Sequence, residues 1–279
     1  MTDSSRRSIL AAAAVLPAAL AGLAAAQTTT GSTGARRATG RTAVVTGSSR
    51  GIGAATARRL ARDGYAVTVN YLTSRALAEQ VARDIEAAGG KAIVVQADVA
   101  DPARVAAMFD ATERAFGGVD VVVNNAGIMN VGPFAAMTDA AFDRMMATNI
   151  KGSFNVLREA AKRTRDGGRI ISLSSSIIRQ VPPAAGAYAA TKAAQELFTK
   201  ALARELAGRN ISVNAVAPGA VDTQLLRQHG EAALHGIPEQ TPLGRLGQPE
   251  DIAGVIAGLC SGESAWINGQ NIFANGGMS

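Results

Sequence analysis

The stretch TAVVTGSSRGIG, residues 42–53, decides the fold of this chain. A short apolar run of strand length is followed by a turn that contains Gly47, Gly51 and Gly53, and a helix-like segment begins where the turn ends. Glycines allow a tight turn and close backbone approach, and the amides at the start of a helix can bind phosphate. The spacing G-x-x-x-G-x-G matches the general dinucleotide fingerprint only loosely. The stretch predicts a strand, a phosphate-binding loop and a helix, in that order.

The same alternation of strand-length and helix-length segments continues along the chain. Runs such as residues 121–123 are β-branched without polar alternation, which indicates strands covered by helices on both faces and hence a parallel sheet. The predicted fold is a single doubly wound α/β domain over residues 41–279, with ligands bound beyond the carboxyl ends of its strands. The seven candidate strands lie in TAVVTG, YAVTVNY, AIVVQAD, VDVVVNNAG, RIISLSSS, ISVNAVAPG and GQNIFANGG.

The glycine-rich turn also fits the G-x-S-x-G nucleophile elbow of α/β hydrolases, with Ser49 as the nucleophile. The chain order Ser49, Asp222, then His229 or His235 agrees with that class, but the motif that supplies its oxyanion hole is absent from the sequence. A hydrolase and a turn that binds no ligand are therefore the two alternatives to a phosphate loop.

The residues after the second candidate strand predict which dinucleotide binds. A carboxylate about 20 residues past the loop would favour NAD, because it would bind the adenosine ribose hydroxyls. The stretch VNYLTSR, residues 69–75, contains no carboxylate, whereas Arg50 and Arg75 can pair with a 2′-phosphate. We expect NADP, with NAD as the second possibility.

Tyr188 and Lys192 stand four residues apart in AYAATK, so they share one face of a predicted helix. A free tyrosine has a pKa of about 10, and a nearby lysine cation would lower it by stabilising the phenolate. The pair predicts a tyrosine that acts as an acid or base. The preceding strand ends in SLSSS, whose hydroxyls can hydrogen-bond a substrate oxygen.

These features together resemble the short-chain dehydrogenase/reductase family, over essentially residues 41–279. The resemblance rests on the loop, on Asp98-Val99, on the NNAG segment at 124–127, on the serine and tyrosine stretches, and on Pro218-Gly219. The segments GRLGQPEDIA and NIFANGGMS are similar to the 3-oxoacyl-carrier-protein reductase branch. A Rossmann fold is the implied fold.

The resemblance implies an oxidoreductase that transfers hydride between a nicotinamide and a carbonyl or secondary alcohol carbon. It implies that Tyr188 protonates the substrate oxygen, that Ser175 holds this oxygen, that Lys192 lowers the tyrosine pKa and binds the nicotinamide ribose, and that Asn149 positions a water. It implies no metal site. The implied cofactor-binding residues are Thr46, Gly47, Ser49, Arg50, Gly51, Ile52, Gly53, Asn70, Arg75, Asp98, Val99, Asn125, Ala126, Gly127, Tyr188, Lys192, Pro218, Gly219, Val221 and Thr223.

Residues 221–241 fall where this family keeps a mobile substrate lid, so their apolar side chains are expected over the substrate; a helix that packs on its own domain is the alternative. The resemblance also implies a homotetramer or homodimer, joined through long helices near 139–165 and 186–208 and through the last strand. The main functional alternative is a non-catalytic NADP-binding sensor or scaffold.

Composition limits the classes of partner. Apolar residues make up 47% of the chain, which provides for a packed core, and the net charge of +6 arises from basic residues scattered among acidic ones. We therefore expect no nucleic-acid partner, and the family resemblance implies a small-molecule carbonyl or alcohol substrate. Cys260 is the only cysteine, which excludes an intrachain disulfide.

The first 26 residues have the order of a cleavable export signal. Arg6 and Arg7 precede an uncharged, alanine-rich run that ends in small residues, and paired arginines indicate the twin-arginine route, which exports folded proteins. Pro17 and the lack of an interfacial anchor argue against a stable membrane span. We expect a signal at 1–26, a flexible linker at 27–40 and a periplasmic location, with an uncleaved cytoplasmic protein as the alternative.

Overall fold

The computed structural model describes residues 40–228, 230, 234 and 236–278. The expected signal, nearly all of the expected linker, and both histidines of the hydrolase alternative lie outside the described residues. Within the described part of the chain, no helix is both long and apolar enough to cross a membrane.

Seven parallel strands form one sheet in the order β3-β2-β1-β4-β5-β6-β7. This confirms the predicted doubly wound α/β Rossmann fold. The strands are β1 (Thr42–Val45), β2 (Ala66–Tyr71), β3 (Lys91–Gln96), β4 (Val119–Asn124), β5 (Thr164–Leu173), β6 (Ser212–Pro218) and β7 (Asn271–Ala274).

Helices cover both faces of the sheet. They are α1 (Gly51–Arg62), α2 (Arg75–Ala87), α3 (Pro102–Phe116), α4 (Asp139–Met146), α5 (Ser153–Arg163), α6 (Ile177–Gln180), α7 (Gly186–Glu205), α8 (Gln224–Arg227), α9 (Ile237–Gln240) and α10 (Pro249–Cys260). The first of the two expected long helices is divided: a π-helical turn, Ala147–Gly152, joins α4 to α5, and β5 begins at Thr164. The second ends at Glu205 rather than near 208.

The central strands are buried on both faces, as their β-branched composition predicts. Every residue of β1 and of β4 is buried. Alternate side chains of a strand point to opposite faces, so they enter two separate apolar cores. Val45 packs with Leu60 and Ile256 on one side of the sheet, whereas Val44 packs with Phe109 on the other.

The strand order reverses between β1 and β4, which are adjacent although other elements separate them in sequence. Loops that leave neighbouring strands at such a switch point diverge to opposite faces of the sheet and open a crevice at its carboxyl edge. The predicted loop after β1 and the NNAG segment after β4 meet at this point. The topology places the candidate site there.

Candidate active site

Two adjoining cavities lie along the carboxyl edge of the sheet. The first, here called the loop cleft, has a volume of about 410 Å³ and is lined by loops after β1 to β4 and by α8. The second, here called the tyrosine cavity, has a volume of about 380 Å³ and lies at the ends of β5 and β6. Ile52, Asn125, Gly127 and Thr223 line both, so the two cavities form one continuous site.

Most of the residues singled out from sequence line these cavities. Those at the loop cleft are Gly47, Ser49, Arg50, Gly51, Ile52, Gly53, Asn70, Asp98, Val99, Asn125, Ala126, Gly127 and Thr223. Those at the tyrosine cavity are Ile52, Asn125, Gly127, Ser175, Tyr188, Lys192, Pro218, Gly219, Val221 and Thr223. Thr46, Arg75 and Asn149 are not among the lining residues.

The loop after β1 requires glycine at its turn positions. Gly47 and Gly51 have φ values of +62° and +55°, in the left-handed region that glycine adopts without strain. A Cβ at Gly53 would lie 2.6 Å from both Asn125 Nδ2 and the carbonyl oxygen of Gly47, so α1 packs directly against two loops. This close packing brings the N-terminus of α1 to the cleft.

Thr46 and Asn70 shape the loop from beneath it. The hydroxyl of Thr46 accepts hydrogen bonds from the amides of Asn125 and Ala126, both at 3.0 Å, and joins the β1 loop to the β4 loop. The Asn70 side chain accepts from the Gly47 amide at 2.9 Å and donates to the Ala97 carbonyl at 3.1 Å. Thr46, which sequence analysis assigned to cofactor binding, therefore has a bracing role in this structure.

The donors around the loop cleft suit a dinucleotide with an additional phosphate. No side chain caps the N-terminus of α1, so its first amides are available to an anion. Arg50 extends toward the end of β2, where its guanidinium donates hydrogen bonds to Ser74 Oγ and, on the other side, to Gln224 Oε1. Among the described lining residues, Asp98 is the only carboxylate, and it stands after β3 rather than after β2. The residues present fit NADP.

Arg75 does not reach the cleft to which sequence analysis assigned it, and its neighbour Ser74 lines that cleft instead. Arg75 is directed away from the cleft, and its Nε pairs with Glu79 Oε1 at 2.7 Å one turn along α2. The i,i+4 spacing within one helix provides this local partner. Ser74, the residue before it, lines the cleft. The stretch VNYLTSR correctly indicated the segment beside the cleft, but the residue of that segment that lines the cleft is Ser74 and not Arg75.

Tyr188 and Lys192 lie on one face of α7, as their spacing predicts. Both side chains are buried, and the lysine Nζ lies 5.9 Å from the centroid of the tyrosine ring. Lys192 Nζ donates a hydrogen bond to the carbonyl oxygen of Leu173 at 2.8 Å, which anchors it to the end of β5. Ser174 Oγ donates to the carbonyl oxygen of Lys192 at 3.0 Å and ties the helix to the same strand.

Burial, rather than the lysine charge, dominates the protonation of this pair. Burial raises the pKa of Tyr188 above its ordinary value, and burial lowers the pKa of Lys192 to about 8. Burial thus opposes the expected lowering of the tyrosine pKa by Lys192, and without the cofactor the net shift of that pKa is upward. Removing both groups from water disfavours phenolate and ammonium alike, and this effect exceeds any attraction between them.

Ser175 follows β5 and lines the tyrosine cavity together with Tyr188. Its Oγ accepts a hydrogen bond from the Ile177 amide at 3.3 Å, an interaction that leaves the hydroxyl proton able to point into the cavity. Ser175 and Tyr188 therefore border one space, as two groups that bind the same substrate oxygen would.

Asn149 lies in the π-helical turn, behind the cavity wall. Its side chain accepts from the Ile128 amide at 2.9 Å and donates to the Ile128 carbonyl at 2.8 Å. A Cβ at Gly127 would lie 3.3 Å from Asn149 Oδ1 and 3.5 Å from Lys192 Nζ, so both groups approach this glycine. Gln195 Nε2 donates to the Asn149 carbonyl at 2.7 Å, a contact that sequence analysis missed because no motif marks Gln195.

The hydrolase alternative finds little support in the described residues. Ser49 lines the loop cleft, but both carboxylate oxygens of Asp222 accept hydrogen bonds from Arg227, at 2.6 and 2.8 Å. Asp222 is thus engaged by a guanidinium rather than placed to orient an imidazole.

Residues 47–279 match a family model described as Enoyl-(Acyl carrier protein) reductase. The chain is 43% identical over 254 residues to an NADPH-dependent aldehyde reductase 2, chloroplastic, of Arabidopsis thaliana, covering 85% of this chain and 93% of that protein. It is 42% identical over 240 residues to a 3-oxoacyl-(acyl-carrier-protein) reductase FabG of Staphylococcus aureus, covering 85% of this chain and 98% of that protein.

The structure of this chain is also similar to that of a solved protein. A short chain dehydrogenase from Burkholderia cenocepacia in complex with NADP superimposes with a TM-score of 0.83 at 40% identity, covering 87% of this chain and 99% of that one. Each comparison therefore covers nearly all of the α/β domain.

Proposed function

The chain belongs to the short-chain dehydrogenase/reductase family and is an NAD(P)-dependent oxidoreductase, and we propose that it reduces a carbonyl compound with NADPH by a serine, tyrosine and lysine mechanism. The observation that carries this proposal is the continuity of the two cavities. The tyrosine cavity, with Ser175, Tyr188 and Lys192, opens directly into the loop cleft that fits a dinucleotide.

NADP is the cofactor, as it is in the Burkholderia cenocepacia complex and in the NADPH-dependent Arabidopsis relative. The amides at the start of α1 would hold the pyrophosphate, and Arg50 with Ser74 would hold the 2′-phosphate. When bound, NADPH supplies the hydride that reaches the carbonyl carbon. Asp98 and Val99 would border the adenine, and Pro218 and Gly219 the nicotinamide.

Side chains of the tyrosine cavity donate the proton and stabilise the charge that its transfer leaves behind. Because burial raises its pKa, Tyr188 stays a neutral phenol at physiological pH and donates its proton to the substrate oxygen as negative charge develops there. Ser175 donates a hydrogen bond to the same oxygen and orients the carbonyl group. Lys192 carries an ammonium group below pH about 8, and this charge stabilises the phenolate that remains after transfer. Asn149 accepts a hydrogen bond from the Ile128 amide and so positions the adjacent Gly127, which lies close to Lys192 Nζ.

Substitution of Tyr188 tests this function. In Tyr188→Phe, we expect carbonyl-dependent oxidation of NADPH to fall by at least about 100-fold, because general acid catalysis of this kind contributes 10²- to 10⁴-fold. NADPH affinity, measured by quenching of protein fluorescence, should change little. Turnover equal to that of the wild type would remove Tyr188 from the mechanism, and a wild-type protein that binds NADPH but reduces no carbonyl compound would favour the sensor alternative.

We also propose that the chain forms a homotetramer or homodimer through α5, α7 and β7. Phe154 on α5 and Leu197 on α7 are 50% and 66% exposed in the single chain, and such side chains favour burial against a second copy. Light scattering after size exclusion should give two or four times the 28.4 kDa chain mass. A monomer at micromolar concentration would contradict this proposal.

For the N-terminus, we propose twin-arginine export to the periplasm and cleavage before Gln27. The ground is that basic, apolar and small residues follow one another in 1–26, as in an export signal. Fractionation of expressing cells followed by N-terminal sequencing tests it. Retention of Thr2 in the exported fraction would contradict cleavage, and an exclusively cytoplasmic full-length protein would contradict export.

A further inference from the structure

The last residues of the described chain turn back toward the tyrosine cavity. β7 ends at Ala274, and Gly276 and Gly277 have φ values of +64° and +87°, so that two consecutive left-handed residues reverse the chain. Met278 then lines the same cavity as Tyr188. We call residues 275–278 the C-terminal turn.

The C-terminal turn crosses the carboxyl end of β6. In the sheet, β6 separates β7 from β5, and neighbouring strands are about 4.8 Å apart, so a chain that leaves β7 must travel roughly 10 Å to reach the elements after β5. Gly219, directly after β6, lies under this crossing: a Cβ there would stand 2.9 Å from the Asn275 Cα. The turn therefore covers the end of β6, where Pro218 and Gly219 line the cavity.

Both sides of the C-terminal turn are held. Gln180, the last residue of α6, donates from Nε2 to the Met278 carbonyl oxygen at 2.5 Å. On the opposite side, the Leu243 amide donates to the Gly276 carbonyl at 3.2 Å, and Pro242 lies 3.0 Å from the position of a Cβ on Gly277. The turn spans the space between α6 and the segment 241–243.

The space that this turn encloses is suited to an apolar group. Among the described residues that line the tyrosine cavity, Lys192 is the only charged one, whereas Ile177, Leu225 and Leu226 contribute aliphatic surface. A charged substituent buried there without a partner would carry a large desolvation cost.

Given the proposed function, on which this step rests, we infer that Met278, held in place by Gln180, sets the size of the apolar substituent that a neutral carbonyl substrate can carry. Met278 forms part of the cavity wall, and Gln180, which lines the same cavity, positions Met278 by the hydrogen bond to its carbonyl oxygen. A shorter side chain at 278 enlarges the cavity, and a bulkier one closes it.

The test uses the full-length protein, NADPH and a series of methyl ketones from 2-butanone to 2-decanone, with 2-oxo acids of equal length. For each variant, the ratio of kcat/KM for a long ketone to that for 2-butanone is measured. We expect Met278→Ala to raise this ratio by about tenfold or more, since one or a few methylenes in an apolar pocket change kcat/KM by 10- to 200-fold. Met278→Trp should lower the ratio, and Gln180→Met, which loses the donor at similar size without adding a charge to the cavity, should shift it in the same direction as Met278→Ala.

Leu243→Ala is the matched control. Its side chain lies against the same turn, 3.6 Å from the position of a Cβ on Gly276, but it is not among the residues that line the tyrosine cavity. We expect its ratio to stay within about twofold of the wild type. The KM for NADPH should be unchanged in all four variants.

Equal ratios in Met278→Ala, Met278→Trp and the wild type would overturn the inference and leave the proposed function intact. Reduction of 2-oxo acids as fast as ketones of equal length would overturn the neutral substrate class. A wild-type protein that reduces none of these compounds, nor any aldehyde, with NADPH would overturn the proposed function and this inference with it.

Discussion

At the scale of single residues, burial determines the protonation of Tyr188 and Lys192, the pair to which we assign the proton transfer. Desolvation raises the pKa of the phenol and lowers the pKa of the amine to about 8. Each shift favours the uncharged form of its group. A neutral phenol is the form that can donate a proton to the substrate oxygen, as the proposed reduction requires.

Activity should therefore fall on the alkaline side. The ammonium form of Lys192 is present below its folded-state pKa and lost above it, so kcat/KM for carbonyl reduction should decrease as pH rises through about 8. A pH profile from 6 to 10 at saturating NADPH and low ketone checks this. A rate that is level from 7 to 10 would contradict the assignment of the charge to Lys192.

The same group should also make the stability of the protein depend on pH. The folded-state pKa of about 8 lies below the ordinary 10.5, so between these values the unfolded chain binds more protons and stability rises with pH. Urea unfolding of the cofactor-free protein at pH 7.5 and 10 should show this increase in the wild type relative to Lys192→Met. Parallel curves for the two proteins would argue that Lys192 is not desolvated.

We expect Arg50, and not Arg75, to decide between the two dinucleotides. Loss of a charged hydrogen bond costs about 1.5–3 kcal/mol, so Arg50→Ala should raise the KM for NADPH on the order of 10- to 100-fold while the KM for NADH changes little. Arg75→Ala is the control, because its partner Glu79 lies on its own helix and it should leave both KM values within twofold. An equal loss for NADPH and NADH in Arg50→Ala would contradict a 2′-phosphate contact.

At the scale of elements, the site depends on how closely α1 approaches the loops after β1 and β4. The N-terminus of this helix is useful to a phosphate only because Gly53 lets it lie against Asn125 and the Gly47 carbonyl. The π-helical turn between α4 and α5 also positions a site residue, because it directs the Asn149 side chain toward Ile128. Gln195 donates a hydrogen bond to the carbonyl oxygen of Asn149.

Gly53→Ala should separate α1 from the loops. The added Cβ would lie 2.6 Å from two atoms, and overpacking of this kind costs about 1–3 kcal/mol, so we expect a lower urea midpoint and weaker NADPH binding. Gly258→Ala in α10 is the matched control: nothing lies within 4 Å of its new Cβ, and the helix should gain up to about 1 kcal/mol. Equal effects of the two substitutions would contradict close packing at Gly53.

At the scale of the whole molecule, the bound cofactor should stabilise the folded domain by contacting segments that follow strands in both halves of the sheet. The loop cleft is lined by segments that follow β1, β2, β3 and β4 and by α8 after β6, so a ligand there contacts segments from both sides of the switch point. Binding to the folded state alone stabilises it by mass action.

NADPH at 100 times its Kd should therefore raise the unfolding free energy by about 2.7 kcal/mol, visible as an increase in Tm by calorimetry. NADH at the same concentration should raise Tm less, and the difference should vanish in Arg50→Ala. An unchanged Tm with NADPH would contradict binding to the folded domain.

Sequence patterns predicted the sheet and the placement of Tyr188 beside Lys192 because both depend on short-range regularities. Alternating strand and helix segments decide a parallel sheet, and the i,i+4 spacing alone places Tyr188 and Lys192 on one helix face. The direction of the Tyr188 pKa shift could not be predicted this way, because burial is produced by residues distant in sequence that pack around it.

The sequence by itself determined the doubly wound fold, the glycine loop, and the preference for a 2′-phosphate over a ribose-binding carboxylate, since each follows from residue types at short spacings. Only the tertiary structure decided that Ser74 rather than Arg75 lines the cleft, that Thr46 braces two loops, and that Met278 lines the tyrosine cavity beside Gln180. These outcomes depend on which side chains the folded backbone directs into one shared space. Such long-range contacts have no local sequence period.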